Sequence, residues 1–464
     1  MAQVRPAGEA TASTMADVVV IGAGAAGLCA ALAARDAGAS VIVLERDAAP
    51  SGNTALTLGM LPGAGTRFQR EKGIEDSPEL FLADIMKKAK GRTDEALARA
   101  VTAASGPAVE WLVDTHGLSF ELLDDILYPG HSRHRYHVPK SRTGTEMEEG
   151  LLAAARKAGA TLITSATVET LYADADRRVT AVGYRDADGA EQVIGCRALV
   201  LATGGYGADP AVVARHIPEM AEAVYCGHDG SQGESLDWGA ALGAEAVDLG
   251  SYQGHCVANG PKLPLTWALV IRGGFQVNRD GERFSNEMSG YSEQASAVLA
   301  QPEGTAWTIY DRRCEEPALT FQDYHRVLEK DAVVTAETVG ELADAIGVPR
   351  AALEARFAEV ASYAAGETSD PFGRDFTDNP PLRAPYLAAK VRGALFHTQG
   401  GLAVDGEARV LGRDGARLPN LFAAGGVARG LSGPSSWGYL GGNGLLTAVV
   451  LGRFAGAGAA RITS

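Results

Sequence analysis

Three glycines and one glutamate near the start of the chain have the types and spacing needed to hold phosphate and ribose groups. Gly22, Gly24 and Gly27 form a GxGxxG pattern, and Glu45 follows 23 residues after the first of them. In such a pattern the first glycine makes a tight turn, the second lets backbone approach a pyrophosphate, and the third lets a helix pack closely on a strand. The helix N-terminus would offer amide donors to the phosphates, and the acid would accept hydrogen bonds from ribose hydroxyls.

The elements on either side of these glycines decide how specific the pattern is. The apolar run 18–21 predicts a buried parallel strand, an Ala-rich stretch after the glycines predicts a helix, and "SVIVLE" predicts a second strand ending at Glu45. This order predicts a dinucleotide site, with a glycine turn that binds no nucleotide as the alternative. It does not distinguish FAD from NAD.

A second group of chemically active residues lies in "LYPGHSRHRYHVPKSRTG", residues 127–144. Two tyrosines, Tyr128 and Tyr136, are surrounded here by basic side chains in an otherwise acidic protein. One interpretation is a solvated basic loop. Another is a cation that holds a carboxylate or phosphate of the substrate. The basic residues are His131, Arg133, His134, Arg135, His137, Lys140 and Arg142.

Composition limits the class of protein. The 464 residues suffice for two domains, or for one large domain with an insertion. Apolar residues make up 46% and charged residues 21%, as in soluble globular proteins. The formal net charge of −15 argues against nucleic acid or an anionic membrane as the main partner. No apolar run reaches the roughly 18 residues of a membrane span.

Cysteine usage and the N-terminus favour a cytoplasmic protein. The five cysteines are scattered without a CxxC pair, which predicts neither a disulfide framework nor a metal site. The N-terminal "MAQVRPAGEATAST" lacks the apolar core of a secretory signal. It is interpreted as a disordered lead-in.

Patterns further along the chain predict local structure. Residues 177–205 predict a hairpin that runs into a second glycine turn, and residues 275–287 predict a hairpin around an Asp-Gly turn. Residues 338–366 predict two helices broken at Val348–Pro349.

Three later segments combine with the glycine motif into a family resemblance. They are "SGNTALTLGMLPGAGT" (51–66), "ALVLATGGYG" (198–207) and "LPNLFAAGGVARG" (418–430). Together they resemble the FAD-binding domain of the fumarate reductase/succinate dehydrogenase flavoprotein family, which includes the 3-ketosteroid dehydrogenases, over about residues 16–460. The resemblance implies an α/β fold, a Rossmann-like FAD-binding domain of the two-dinucleotide-fold type with an inserted α+β capping domain. The implied segments are 16–250 and 381–464 for the FAD-binding domain and 251–380 for the cap.

The resemblance implies FAD as the cofactor. Asn53 stands where the membrane-bound members carry a histidine bonded covalently to FAD, so non-covalent FAD is expected. Gly426 stands where the family usually has an acid suited to a ribityl hydroxyl. The implied cofactor-binding residues are Gly22, Gly24, Ala26, Gly27, Glu45, Arg46, Asn53, Thr54, Gly59, Val168, Thr203, Gly204, Gly425, Gly442, Asn443 and Leu445.

The same resemblance places the reacting groups. His255 in "QGHCV" and His397 in "FHTQGG" match the histidines that hold substrate carboxylates in soluble fumarate reductases. Arg272 in "IRGG" matches a relay arginine, whereas the relay acid is replaced by Leu269. The proton-donating arginine aligns with Tyr291 in "NEMSGY". The second carboxylate-binding arginine aligns with Tyr439 in "SSWGYLGGNG".

Two tyrosines in these positions are similar to the site of the 3-ketosteroid Δ1-dehydrogenases. There one tyrosine is the base near the flavin, and a second tyrosine with a backbone amide holds the ketone oxygen. The resemblance therefore implies that Tyr291 is the base and that Tyr439 holds the ketone with the amide of Gly442 or Asn443. His397 or Arg272 would lower the pKa of the base, and Tyr128 or Tyr136 would assist it.

The predicted activity is FAD-dependent α,β-dehydrogenation of a cyclic ketone, steroid-like or small and alicyclic, with or without a carboxylate. The partners are a small-molecule ketone or enone and an electron acceptor that the sequence does not identify. The first alternative is a fumarate- or urocanate-type ene reductase, although the chain has no CxxCH haem motif. The second is a flavin-binding protein without catalysis, in which the tyrosines and histidines are structural and Arg272 is an internal ion-pair partner.

Overall fold

The computed structural model describes residues 2–463, in which strands and helices alternate over most of the chain. The strands are β1 (Gln3–Pro6), β2 (Thr14–Ile21), β3 (Val41–Leu44), β4 (Leu61–Pro62), β5 (Glu121–Leu122), β6 (Tyr136–Val138), β7 (Thr161–Ile163), β8 (Thr167–Ala173), β9 (Val179–Arg185), β10 (Glu191–Leu201), β11 (Val224–Tyr225), β12 (Ala246–Val247), β13 (Tyr252–Ala258), β14 (Phe275–Val277), β15 (Thr305–Asp311), β16 (Val333–Ala336), β17 (Tyr386–Thr398), β18 (Gly401–Leu402), β19 (Arg409–Leu411) and β20 (Arg417–Ala423). The helices are α1 (Ala25–Asp36), α2 (Arg67–Glu71), α3 (Pro78–Lys88), α4 (Glu95–Asp114), α5 (Gly144–Lys157), α6 (Pro210–His216), α7 (Glu234–Ala241), α8 (Ala268–Ile271), α9 (Tyr291–Leu299), α10 (Arg312–Ala318), α11 (Gln322–Glu329), α12 (Val339–Ile346), α13 (Arg350–Ala364) and α14 (Asn443–Arg461).

A nine-stranded sheet forms the larger half of the α/β fold. Its strands follow the order β1-β8-β9-β10-β2-β3-β7, with β20 beside β10 and β19 beside β20. Strands β10, β2, β3 and β7 are parallel, whereas β9 and β10 form the predicted antiparallel hairpin. The apolar run 18–21 in β2 is buried on both faces, as expected for a parallel strand covered by helices.

Helices α1 and α14 pack so closely that their backbones touch. A Cβ atom on Gly452 or Gly456 of α14 would lie 2.4 or 2.0 Å from the carbonyl oxygens of Ala26 and Ala30 in α1. Only glycine permits this approach. The packing fixes the two helices relative to each other, and the first residues of both helices line the same cleft.

A six-stranded sheet forms the second layer. Its long strand β17 pairs with β11, β13, β15 and β16, and β14 pairs with β15. The apolar side chains of this sheet and of α8 to α13 form a core separate from that of the first sheet. The boundaries at residues 250 and 380 stay predictions, and β17 lies beyond the second of them.

The two helices predicted around Val348–Pro349 are confirmed. Helix α12 ends at Ile346 and is capped by Gly347, which adopts a left-handed φ of 69°, and α13 begins after Pro349.

The hairpin predicted at 275–287 is wrong beyond its turn. The Gly281 amide donates to the Asn278 carbonyl, and the Asn278 amide donates to the Glu282 carbonyl, so the turn is closed as predicted. No strand follows, because Arg283 enters a buried ion-pair cluster with Glu287 at 2.8 Å and Asp370 at 2.6 Å. Strand β14 pairs with β15 instead.

The disordered lead-in predicted for residues 1–14 is also wrong for its described part, because residues 3–6 pair in parallel with β8. Residue 1 lies outside the described residues. Within residues 2–463, no helix combines the length and apolar character required to cross a bilayer.

Candidate active site

The predicted dinucleotide cleft forms where β2, β3 and β10 meet the N-terminus of α1. Gly22 has a φ of +102°, and a Cβ there would lie 2.4 Å from the carbonyl oxygen of Ala202. A Cβ on Gly27 would lie 1.9 Å from the carbonyl oxygen of Gly22. The two glycines therefore have the turn and helix-packing roles that the spacing predicted. Including its open mouth, the cleft measures about 1130 Å³.

Glu45 is held rigidly at the end of β3. Its Oε2 atom accepts the Ala23 amide at 2.7 Å, and its Oε1 atom accepts the Asp47 amide at 2.9 Å. The carboxylate keeps further lone pairs for ribose hydroxyls. A glycine cradle at a helix N-terminus, followed by a fixed acid, fits the adenosine half of FAD.

Most of the predicted cofactor-binding residues line this cleft. They are Gly22, Gly24, Ala26, Glu45, Arg46, Asn53, Thr54, Val168, Thr203, Gly204, Gly425 and Leu445. Gly27 packs behind the cleft, Gly59 packs against the Pro139 ring, and Gly442 lines the neighbouring cavity. Asn443 is fully buried at the start of α14, and its side-chain amide has no hydrogen-bond partner among the described residues.

Gly426 has a steric reason to lack the acid that the family carries there. A Cβ at this position would lie 2.8 Å from the Gly205 amide nitrogen, so the second glycine turn leaves no space for a side chain. Sequence reasoning missed several lining residues of the cleft, one of which, Gln399, lies in the "FHTQGG" segment used for His397. These are His228, Ser231, Trp238 and Gln399.

Asn53 is tied to the far wall of the cleft. Its Oδ1 atom accepts the His228 amide at 2.7 Å, and its Nδ2 atom donates to Ser231 Oγ at 3.3 Å. Asparagine has no imidazole nitrogen for a covalent flavin bond, so non-covalent attachment stays a prediction.

A second cavity of about 980 Å³ adjoins the cleft and shares four lining residues with it, Asn53, Thr57, His397 and Leu445. Its wall is mainly apolar and aromatic. None of the described lining residues is Lys or Arg, and Asp323 is the carboxylate among them. The further lining residues are Leu56, Leu58, Met60, Tyr128, Cys226, Gln253, His255, Pro264, Thr266, Trp267, Tyr291, Phe321, Phe396, Tyr439 and Gly442.

The two predicted tyrosines meet in this cavity. The rings of Tyr291 and Tyr439 lie 6.0 Å apart between centroids and pack edge to face at an angle of 66°. The Tyr439 hydroxyl donates to Gln253 Oε1 at 2.9 Å. The amides of Gly442 and Gly444 also face the Tyr439 oxygen. Burial raises the pKa of both phenols.

The predicted histidines flank the tyrosines and are neutral near pH 7. The His255 ring lies 4.9 Å from the Tyr291 ring, and the His397 ring lies 5.8 Å from the Tyr439 ring. Burial lowers the pKa of both histidines to about 4. His397 is therefore not the cation expected to lower the pKa of the base.

The predicted cations lie elsewhere. Arg272 donates to the Asp125 carbonyl at 3.2 Å and does not line the cavity. Arg135 is buried in ion pairs with Asp76 and Asp84, and Arg142 donates to Thr320. Arg272 and the basic segment are thus not placed to hold a substrate carboxylate or to lower the pKa of Tyr291. Tyr136 does not line the cavity either.

A dinucleotide cleft that opens beside an apolar cavity with two phenols fits a flavin site next to a substrate site. A family profile described as "FAD binding domain" matches residues 17–445, and the chain belongs to this family. It is an FAD-dependent oxidoreductase of the fumarate reductase family, whose members act on C=C and CH–CH bonds.

Known proteins of two kinds are similar to this chain. "Probable fumarate reductase Ifc3" of Shewanella frigidimarina is 31% identical over 97% of this chain and 75% of its own. A flavocytochrome c3 fumarate reductase in an open conformation has a TM-score of 0.82 at 30% identity, covering 98% and 80% of the two chains. The 3-ketosteroid-Δ4-(5α)-dehydrogenase of Rhodococcus jostii RHA1, in complex with 4-androstene-3,17-dione, has a TM-score of 0.79 at 27% identity, covering 98% and 99%.

The packing at Gly27 gives a testable prediction for the cleft. Gly27→Ala should lower the melting temperature and the fraction of bound FAD, because its Cβ has no space beside Gly22. Gly150→Ala in α5 is the matched control, since the nearest neighbour of its Cβ is Leu118 at 3.4 Å. Differential scanning calorimetry and the flavin-to-protein absorbance ratio measure both effects. Equal stability and FAD content in the two variants would contradict the assigned packing.

Proposed function

We propose that this chain desaturates an uncharged cyclic ketone between its α and β carbons. The observation that carries this proposal is the pair of phenols in an apolar cavity whose described lining has no Lys or Arg. A dicarboxylate buried there would lack the cations that offset its desolvation, whereas a ketone needs only hydrogen-bond donors.

Each tyrosine has a separate role in the proposed reaction. Tyr439 and the amides of Gly442 and Gly444 hold the ketone oxygen, for which the Tyr439 hydroxyl turns away from Gln253. Polarising the carbonyl acidifies the α-hydrogen, and deprotonated Tyr291 takes that proton. Bound in the neighbouring cleft, FAD would supply the acceptor for the β-hydrogen, which leaves with its electron pair. The electron pair of the broken α-C–H bond forms the double bond.

The choice of substrate follows from the wall of the cavity. Leu58, Met60, Trp267 and Phe396 present an apolar surface suited to a saturated ring. The similar ketosteroid dehydrogenase was solved with 4-androstene-3,17-dione, which also favours a ring ketone. The cavity is less suited to a substrate that carries a carboxylate, because the cations expected to pair with that carboxylate lie outside the cavity.

Steady-state dehydrogenation tests the proposal. Purified holoenzyme is supplied with an artificial electron acceptor and a panel of saturated cyclic ketones of one to four rings, and products are analysed by mass spectrometry. A product lacking two hydrogens, conjugated with the carbonyl, is expected. Activity with none of the ketones would overturn the proposed substrate class.

A second candidate is reduction of an activated C=C bond. The 31% identity to a probable fumarate reductase favours it. Enzyme reduced in the absence of oxygen would then be reoxidised rapidly by fumarate or another enoate and not by a cyclic enone. The unpaired carboxylates of an enoate make this the weaker candidate.

Asp323 predicts discrimination against acidic substrates. Burial raises the pKa of this carboxyl, and Arg326, 3.6 Å away, pairs with it. Once ionised, Asp323 repels a second anion in the cavity. Asp323→Asn should raise kcat/KM for a carboxylated ketone by about tenfold, equivalent to about 1.4 kcal/mol. The uncharged ketone of the same ring system is the control, and an equal change for both ketones would contradict the prediction.

A further inference from the structure

The C-terminal end of one helix meets the N-terminal end of another beside the proposed base. Helix α3 ends at Lys88, and α9 begins at Tyr291. Phe81 and Ile85 place α3 in the core of the first sheet, whereas Val298 places α9 in the core of the second. The base is therefore carried by one layer and the dinucleotide cleft by the other. A contact between these helix ends sets the position of the base relative to the cleft.

Lys88 makes that contact with the chain on both sides of Tyr291. Its Nζ atom donates to the Ser289 carbonyl oxygen at 2.6 Å and to the Glu293 carboxylate. The two partners lie two residues before and two residues after Tyr291 in the sequence. The Lys88 and Glu293 side chains are 12% and 24% exposed. An ion pair covered to this extent is screened less by solvent and salt than a pair on the open surface.

Gly290 lets the ammonium approach the backbone immediately before Tyr291. Its φ of +147° is one that glycine adopts without strain. A Cβ at this position would lie 2.9 Å from Lys88 Nζ. Lys88 is thus packed against the peptide from which the base projects.

The helix ends explain why the two charges have these positions. Lys88 is in the last turn of α3 and Glu293 is in the first turn of α9, where a cation and a carboxylate are each stabilised by the helix dipole. Burial raises the pKa of Glu293, and Lys88 opposes that rise. Without Lys88 the buried carboxylate would have no cation beside it, so the two residues work as a pair.

Separate contacts fix α9 within its own layer. Cβ atoms on Gly254 of β13 and Gly393 of β17 would lie 2.7 Å from the Ala295 Cβ and 2.2 Å from the Ala295 carbonyl oxygen, so the helix packs directly on both strands. Ser292 Oγ accepts the Gly254 amide at 3.2 Å and donates to its carbonyl at 3.3 Å. These contacts hold the base against β13, and Lys88 adds the connection to the first layer.

We propose that Lys88 and Glu293 are positioning residues for the proposed base, because their ion pair fastens the start of α9 to α3 and so sets the distance from Tyr291 to the flavin cleft. Neither residue lines the cavity or the cleft. Loss of the pair should therefore change the geometry of proton transfer and leave the binding of ketone and FAD intact. The inference rests on the proposed function for the use of Tyr291 as a base, whereas the fastening itself does not.

Four variants of the holoenzyme test the pair. Lys88→Met removes the cation, and Lys88→Arg keeps it. Lys87→Met is the matched control, because Lys87 is exposed on the same helix and makes no hydrogen bond or ion pair among the described residues. Lys88→Met combined with Glu293→Gln removes both charges, and it keeps the test decisive if Lys88→Met alone does not fold.

Hydrogen exchange followed by mass spectrometry measures the fastening without turnover. Peptides that cover residues 287–299 should exchange faster in Lys88→Met and in the double variant than in the wild type. The Gln294 amide, which donates to the Gly290 carbonyl, reports on the first turn of α9. Lys87→Met should exchange like the wild type. Equal exchange in Lys88→Met and Lys87→Met would overturn the fastening.

Anaerobic flavin reduction by a saturating ketone measures the positioning. The rate constant should fall by about tenfold in Lys88→Met and in the double variant, since a small displacement of a reacting group costs at least this much. The ketone dissociation constant and the FAD content should stay at wild-type values, and Lys88→Arg should recover most of the rate. A lower melting temperature with an unchanged rate constant would show a merely structural role and overturn the proposal.

The outcomes separate this inference from the proposed function. If no ketone reduces the flavin, the same comparison is made on reoxidation of reduced enzyme by an enoate, for which Tyr291 would donate the proton. A slower reoxidation in Lys88→Met would then support the positioning role while the proposed activity fails. If a ketone reduces the wild type and Lys88→Met at equal rates, the activity stands and the positioning role fails.

Discussion

Tyr291→Phe is expected to lower kcat for ketone desaturation by about 10³-fold, with FAD content and KM nearly unchanged. The substitution removes the proposed base and keeps the ring that packs beside His255 and Trp267. A group that acts only in the transition state changes kcat and not KM. Steady-state rates at saturating ketone measure the effect.

The matched control is Tyr184→Phe, a buried phenol in β9 outside both cavities. It should retain wild-type kcat. If Tyr291→Phe also retained wild-type kcat, the assignment of the base would be wrong.

The pH dependence of kcat/KM follows from the same assignment. Burial raises the pKa of Tyr291, and the active form is deprotonated, so kcat/KM should increase with pH across the neutral range. His255 and His397, with pKa values lowered to about 4, should add no step between pH 5 and 8. A profile that falls over this range would contradict a phenolate base.

Tyr439→Phe is expected to lower kcat/KM by about 10²-fold, through both a higher KM and a lower kcat. The phenol is proposed to hold the ketone in the ground state and to hold it more strongly as negative charge develops on the oxygen. The amides of Gly442 and Gly444 remain, so residual activity should exceed that of Tyr291→Phe.

A ligand-binding control tests whether Tyr439 acts through the ketone oxygen of the ligand. A hydrocarbon of the same ring system, without the ketone, should bind equally to the wild type and to Tyr439→Phe. Equal ketone KM in the two proteins would contradict the role of Tyr439 in holding the ketone.

Local patterns were sufficient to predict the nucleotide cleft. The glycines, β2, α1, β3 and Glu45 are contiguous in sequence, so their chemistry and spacing determine a short unit. The close approach of Gly27 to Gly22 is a direct consequence of that spacing. Tyr291 and Tyr439 could be paired only through the family resemblance, because 148 positions separate them in the chain.

Long-range packing explains the errors. Arg272 and Arg135 carry the charge expected of substrate-binding residues, but tertiary contacts direct them to a carbonyl and to buried carboxylates instead. Asp323 belongs to no motif, and only the fold brings it to the cavity. Gln253 lies in "QGHCV", but the motif was used only for His255. The 275–287 hairpin failed because its second arm forms buried ion pairs with a distant residue, Asp370.

The most direct test of ketone desaturation is anaerobic reduction of the bound flavin by a saturated cyclic ketone. The oxidised flavin absorbance should bleach in the wild type and persist in Tyr291→Phe, and a carboxylate on the same ring should slow the bleaching. If no ketone bleached the flavin, and pre-reduced enzyme were reoxidised by an enoate, the chain would be an ene reductase and not a ketone desaturase.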